Sequence, residues 1–425
     1  MQRERPRAAI VVTGSELVRG ERSDLNGPFL AAQALTLGLE PARITIVGDA
    51  PAELEAALRE GLDADLCLVT GGLGPTHDDR TVELVARAAG RELVLDEALH
   101  EQIGAVSRSI AERLRRPYAD FEPGVVKQAT LPAGALSLGL AGTAPGMVLE
   151  TGRAAVVVLP GPPAELQRLW PRALETEPVL RVLERARPPG RRVLRFYGAS
   201  ESAVAKALAD AGGDGDGVEA TICAREFEIH VDLLVEPGAE ERAAELERAL
   251  AEPLERYVFA RDERRVEELV LDLCRARGWT LATAESCTGG LVAARLTSVP
   301  GSSEVVTGGI VAYANAVKEQ ELDVPREVLA AHGAVSPETA AAMAAGVRAR
   351  LGVDVGVAVT GIAGPGGGTP EKPVGLVYLH AETPEAGGGI EFNFPADRDS
   401  IRTRSAVAAL HLVRRVLSQS RDEDV

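Results

Sequence analysis

Aromatic residues make up only 3% of this 425-residue chain, and no basic run offsets its formal net charge of −17. Nucleic-acid binders rely on clustered basic and aromatic side chains, so these two absences argue against a dedicated nucleic-acid partner. A nucleotide site is still compatible with them, because a Gly-rich loop binds phosphate through backbone N–H groups whatever the global charge. Cysteine is also sparse. Cys67, Cys223, Cys274 and Cys287 form no C-x-x-C pair, which fits free thiols in a reducing compartment rather than a disulfide or zinc framework. No uncharged apolar run reaches the length of a membrane span, and the first residues lack the apolar segment of a leader. The expectation is a cytoplasmic protein with no membrane partner.

What the chain does contain is alternation. Short apolar runs at 8–12, 66–69 and 154–159 are interleaved with helical patterns at 25–37 and 82–89. Strands alternating with helices predict a parallel sheet covered on both faces. From about residue 172 to 258 the texture changes to half-buried strands at 191–197 and 226–235, with helices at 201–211 and 240–250. That is the pattern of a small α+β domain. An α/β pattern resumes near Arg264: a helix at 266–277, strands at 304–311 and 353–359, further strands at 374–380 and 390–394, and a closing helix at 400–417. Ser336-Pro337 opens one more helix, with Ser suited to the N-cap and Pro to the first helical position. The expected fold class is therefore α/β in three domains: an N-terminal α/β domain (1–171), a small α+β middle domain (172–258) serving as linker or dimer element, and a C-terminal α/β domain (264–425). Soluble enzymes are commonly symmetric oligomers, and a homodimer is expected.

In such sheets ligands bind at the carboxyl ends of the strands, where this chain concentrates Gly, Pro and Asp. The densest turn runs from Thr70 to Thr81. Gly71, Gly72 and Gly74 let the backbone approach a phosphate closely, and Thr76 adds a hydroxyl. Asp78 and Asp79 each suit a helix cap when taken alone. Together with Asp24 they suit a divalent metal beside a diphosphate. Asn26 and the turns around Thr143 and Pro160-Gly161 are expected at the same sheet edge. Four such turns together favour a site over bland loops.

A second turn, Ala284-Glu285-Ser286-Cys287-Thr288-Gly289-Gly290, lies between an apolar run and a helical one. Taken alone it reads as a Ser N-cap beside two turn glycines. In a site, the Ser286 hydroxyl would attack an acyl group while free N–H groups at the helix start hold the oxyanion. Thr360 to Pro365, including Gly361 and Gly364, is a further Gly-rich turn suited to phosphate or ribose contacts.

The order and spacing of these motifs resemble the CinA family of competence/damage-inducible proteins over nearly the whole chain. Gly71 to Thr76, Asp78-Asp79, Gly142 to Gly146 and Leu159-Pro160-Gly161 are similar to its molybdopterin-binding-like domain. Ala284 to Gly290, Tyr313 to Lys318, Thr360 to Pro365 and Lys372 to Gly375 are similar to its C-terminal nicotinamide-nucleotide amidase domain. His77 departs from the lysine frequent in the family, and Thr13 to Leu17 is a slightly altered family turn. The resemblance implies two activities in pyridine-nucleotide salvage. The N-terminal domain would hydrolyse ADP-ribose to AMP and ribose 5-phosphate with a divalent metal held by Asp24, Asp78 and Asp79. The C-terminal domain would hydrolyse nicotinamide mononucleotide (NMN) to nicotinate mononucleotide and ammonia, without a cofactor.

For the second reaction the chemistry is a Ser–Lys variant of the catalytic triad. A buried Lys318 loses its proton more readily than a free lysine, whose pKa is about 10.4, and could act as base for Ser286. Tyr313 and Asn315 would position substrate or support Lys318, with Gly289 and Gly290 beside the nucleophile. The family places an Arg for the substrate phosphate near Arg402, and Arg398 and Arg404 stand close enough to leave the choice open. Cys287 remains open as a nucleophile, with His332, His380 or His411 as partners. A non-catalytic regulatory protein of competence or DNA damage is the alternative from another class.

Overall fold

The computed structural model describes residues 5–419, in two compact units, Met1–Pro189 and Gly190–Val425. The first unit is built on a six-stranded sheet in the order Glu40–Val47, Arg7–Thr13, Leu66–Thr70, Ala155–Leu159, Pro145–Glu150, Leu136–Leu140. The first four strands are parallel, as the alternating pattern predicts. Leu66–Thr70 and Ala155–Leu159 are buried at every position, because helices cover both faces. Leu30, Leu166, Leu169 and Trp170 pack on one side, and Leu54, Leu58, Leu84 and Val85 on the other.

The last two strands depart from the expected all-parallel sheet. Pro145–Glu150 pairs antiparallel with both neighbours. The connection from Glu150 to Ala155 is a tight turn closed by Thr151 N–H to Ala154 O at 2.9 Å. A turn this short can return the chain only antiparallel, since a parallel return needs a crossover.

In the second unit, residues 190–260 form a four-stranded antiparallel sheet in the order Val218–Arg225, Glu228–Val235, Gly190–Tyr197, Val258–Ala260, with helices Glu201–Asp210 and Glu240–Ala251. Val218–Arg225 was not among the expected strands. Residues 281–393 supply a five-stranded sheet in the order Val306–Val311, Leu281–Glu285, Val355–Gly361, Leu376–Glu382, Gly387–Asn393. Its first three strands are parallel and the rest antiparallel. Helix Pro337–Leu351 contributes Met343 and Val347 to the core on one face, while Val266–Arg275 and Arg398–Gln419 cover the other. Ser336 caps its helix as expected, accepting the Thr339 N–H at 3.1 Å. No described helix is long and apolar enough to cross a membrane.

Candidate active sites

Ser286 follows directly on the buried Leu281–Glu285 strand, and its N–H donates to Val359 O at 2.9 Å. Gly289 and Gly290 take left-handed φ values of 62° and 101°, a conformation open to glycine at no steric cost. They turn the chain into helix Leu291–Thr297. The N-cap of that helix is Gly290, not Ser286, and no side chain of the cap residue bonds there. The capping falls to Glu285. Its buried carboxylate accepts the N–H groups of Gly290 (2.9 Å), Val292 (3.1 Å) and Ala293 (2.9 Å), and the Thr283 hydroxyl.

Two expectations change as a result. The Ser286 hydroxyl is not occupied as a cap. Glu285 takes the Gly290, Val292 and Ala293 N–H groups away from an oxyanion, and Gly289 N–H is held by Ser286 O at 3.2 Å. Next after Ser286 come the N–H groups of Cys287 and Thr288, which Glu285 does not bond.

Lys318, on helix Asn315–Leu322, is only 1% exposed. Its Nζ lies 3.2 Å from Ser286 Oγ, 2.7 Å from Ala312 O and 3.2 Å from Tyr313 O. Burial lowers its pKa, and Cys287 alone opposes that shift. A neutral amine has two N–H donors and one lone pair. The two carbonyls accept N–H bonds in either protonation state, while the Ser286 hydroxyl accepts from the ammonium or donates to the lone pair of the neutral amine. Cys287 is 5% exposed and packed in the core, and burial pushes its thiol up to about 12. It is therefore a thiol, not a thiolate, near neutral pH. None of His332, His380 or His411 is hydrogen-bonded to it; His411 is bonded to Glu228 instead.

The three arginines left open by the sequence have different surroundings. Arg402 donates to Cys287 O (3.2 Å) and Thr288 O (3.1 Å), so it braces the nucleophile turn. Arg404 lies over the rings of Phe394 (4.0 Å) and Phe227 (5.1 Å). Arg398 donates to Gly364 O (2.7 Å) and to the exposed Tyr313 hydroxyl (3.2 Å). Tyr313 thus meets Lys318 through its carbonyl, while its ring faces solvent at 61% exposure. Asn315 is exposed at the start of its helix. Thr360 is fully buried and donates to Ala334 O at 2.6 Å. A Cβ on Gly361 would sit 2.7 Å from Val377, so these two pack the strand end. The sequence leaves Glu285 as scaffold of the Ser286 turn, and the structure gives that scaffold its form as the cap of the following helix. An acid beside the start of a helix was the available signal.

In the N-terminal unit, Asn26 Nδ2 donates to Thr70 Oγ1 (3.0 Å) and Gly161 O (2.7 Å), and Thr70 Oγ1 donates to Pro160 O (2.9 Å). Three of the expected turns therefore meet at the carboxyl edge of the sheet. Asn26 Oδ1 is buried without a partner. Asp24 accepts the N–H groups of Asn26 and Gly27. Gly71 must be glycine: its φ is 101°, and a Cβ would lie 2.3 Å from Thr13 O. Beyond it, the Thr76 hydroxyl bonds both Asp78 and Asp79, and the Thr76 bond holds the Asp78 carboxyl below its usual range.

Helix Glu122–Gln128 supplies two residues the sequence reading overlooked. Lys127 reaches Thr76 O, and Gln128 Nε2 donates to Leu73 O (2.9 Å) and Thr143 O (3.2 Å). Gly72, Gly74, Asp79, Lys127 and Gln128 line one cavity, while Asp24, Asn26, Thr70 and Gly161 line another. No three His, Cys, Asp or Glu residues among those described converge to hold a metal.

Family models match this chain along almost its full length: "Probable molybdopterin binding domain" over 9–181, "Damage-inducible protein CinA KH domain" over 191–260, and "CinA C-terminal domain" over 263–417. A CinA-like protein of Mycolicibacterium paratuberculosis is 44% identical over 432 residues, covering 97% of this chain and 99% of the relative. The chain belongs to the CinA family. A CinA-like protein of Mycobacterium tuberculosis is likewise 44% identical over 422 residues, covering 97% of each. Among solved structures, the competence/damage inducible protein CihA from Agrobacterium tumefaciens is 40% identical, with a TM-score of 0.35, covering 37% of this chain and 99% of that one. The KH match falls on the antiparallel middle sheet, and the CinA C-terminal match contains both Ser286 and Lys318.

Proposed function

We propose that this CinA-family protein hydrolyses the carboxamide of NMN to nicotinate mononucleotide and ammonia. The observation that carries the reading is Lys318 Nζ, buried and 3.2 Å from Ser286 Oγ. Neutral Lys318 takes the hydroxyl proton as Ser286 Oγ bonds to the carboxamide carbon. The oxyanion is held by the N–H groups of Cys287 and Thr288. Lys318 returns the proton to the departing nitrogen, ammonia leaves, and water attacks the acyl-serine with Lys318 again as base. Arg402 keeps the donor turn in place. Arg398, whose guanidinium reaches the exposed Tyr313 hydroxyl, is the better placed of the three arginines for the substrate phosphate.

For the N-terminal unit we propose hydrolysis of ADP-ribose to AMP and ribose 5-phosphate. A hard cation such as Mg²⁺ is commonly bound by one or two carboxylates with the substrate's own phosphate oxygens. Asp79, beside Asp78 in sequence, lines the cavity with Gly72 and Gly74 and fits that mode, whereas Asp24 lines a second cavity with Asn26 and does not converge with them. The ion, when bound, would neutralise charge on the diphosphate. Gly71, Gly72 and Gly74 give the backbone its close approach to phosphate, and Asn26 offers a free buried acceptor.

The test is direct. The protein is incubated with NMN, and separately with ADP-ribose and Mg²⁺, and ammonia and AMP are measured. Both products are expected. Absence of both would favour a binding or regulatory protein.

A further inference from the structure

Residues of the middle sheet and of helix Arg398–Gln419 enclose a cleft of about 430 Å³, within the usual size of small-molecule sites. Tyr197, Arg256, Tyr257, His411, Arg414 and Arg415 line it. The Tyr197 ring stacks on His411 at 3.7 Å, and the Arg256 guanidinium lies 4.6 Å over the Tyr257 ring. Many arginines of this acidic chain meet a carboxylate, Arg191 and Arg264 two each. Among the described residues, Arg256, Arg414 and Arg415 form no ion pair, and the Arg414 Nε is buried without an acceptor. Burial and the neighbouring Arg415 lower the Arg414 pKa, with Glu228 opposing them.

His411 adds a polar anchor. It is 3% exposed, and its Nε2 meets Glu228 Oε1 at 2.7 Å. Burial holds the imidazole neutral, below its usual value. A neutral ring that donates from Nε2 carries a lone pair on Nδ1, and that atom has no partner. The cleft therefore presents aromatic faces, guanidinium groups and one free buried acceptor.

We propose that this cleft is a binding site for a nucleoside monophosphate, separate from both catalytic clefts. The phosphate meets the guanidinium groups of Arg256, Arg414 and Arg415, as planar arginines bind phosphate oxygens. The base lies against the tyrosine faces and gives an N–H to His411 Nδ1. The site does not depend on the chemistry proposed for Ser286 or for Asp78 and Asp79.

Hydrogen exchange read by mass spectrometry tests it on the full chain, with AMP as probe. AMP is expected to slow exchange in segments 253–258 and 411–417. The variant R256Q/R415Q, altered at two exposed positions, is expected to need at least about tenfold more AMP for the same protection. Adenosine and inorganic phosphate, each offering half of the ligand, should also need at least about tenfold more. Circular dichroism checks the fold, and either single substitution gives the same comparison should the double variant fail to fold. No protection of these segments at saturating AMP would overturn the proposal. So would equal protection in wild type and variant, or protection only by a single-stranded oligonucleotide.

Discussion

At Lys318, burial rather than the hydrogen-bond set favours the neutral amine. The ammonium form is disfavoured by burial, and no carboxylate contributes to offset it. Raising the pH through the lowered pKa frees the lone pair, so the rate of NMN hydrolysis should rise with pH and level off below the free-lysine value of about 10.4. The profile of kcat/KM against pH checks this; a rising limb at the unperturbed lysine value would contradict it. Ser286 and Lys318 could both be named from motifs. Their contact, across 32 residues of sequence, could not be derived from spacing. It depends on where the chain leaves strand Val306–Val311 and how Ala312 and Tyr313 turn their carbonyls back onto Nζ. The roles of the arginines were hidden for the same reason, since helical spacing says nothing about which carbonyl or ring each one meets.

At the scale of elements, the nucleophile turn is held from two sides. Glu285 occupies three backbone N–H groups at the start of helix Leu291–Thr297. Glu285→Ala removes their acceptor, leaving the Val292 N–H buried and the other two half-buried, and a loss of about 3 kcal/mol in unfolding free energy is expected from denaturant titration, at the low end of about 1 kcal/mol per orphaned group. A loss under about 1 kcal/mol would show that water replaces the carboxylate. Arg402 braces the turn through the Cys287 and Thr288 carbonyls, whereas Arg398 bonds Gly364 O and the exposed Tyr313 hydroxyl. Steady-state kinetics should separate them: Arg402→Ala lowers kcat by about 10²-fold, while Arg398→Ala chiefly raises KM. The reverse pattern would exchange their roles.

Element types were mostly legible because buried strands and capped helices leave clear patterns, as Leu66–Thr70 and Ser336 do. Strand Val218–Arg225 escaped because its hairpin turn is Glu226-Phe227, with φ of 50° and 68°. Such turns are normally signalled by Asn or Gly. Here Glu226 pairs with Arg295 at 2.6 Å and Arg404 covers Phe227. Contacts made by the C-terminal part thus hold a turn that the local sequence does not announce.

For the whole molecule, the two proposed chemistries lie in different compact units, Met1–Pro189 and Gly190–Val425. They should separate cleanly. Chelation by EDTA is expected to abolish AMP release from ADP-ribose and leave ammonia release from NMN unchanged, because no step at Ser286 uses a metal. Loss of both activities on chelation would contradict that division. The acidic composition and scarce aromatics argue against a class of partner but do not show the arginines without ion pairs gathered at one cleft in the second unit.

The most direct measurement is ammonia release from NMN by Ser286→Ala and Cys287→Ala, assayed side by side against the intact protein. The account predicts that Ser286→Ala loses at least about 10³-fold in kcat/KM, while Cys287→Ala retains most of the activity. Full activity in Ser286→Ala, with loss in Cys287→Ala, would contradict the Ser286–Lys318 mechanism.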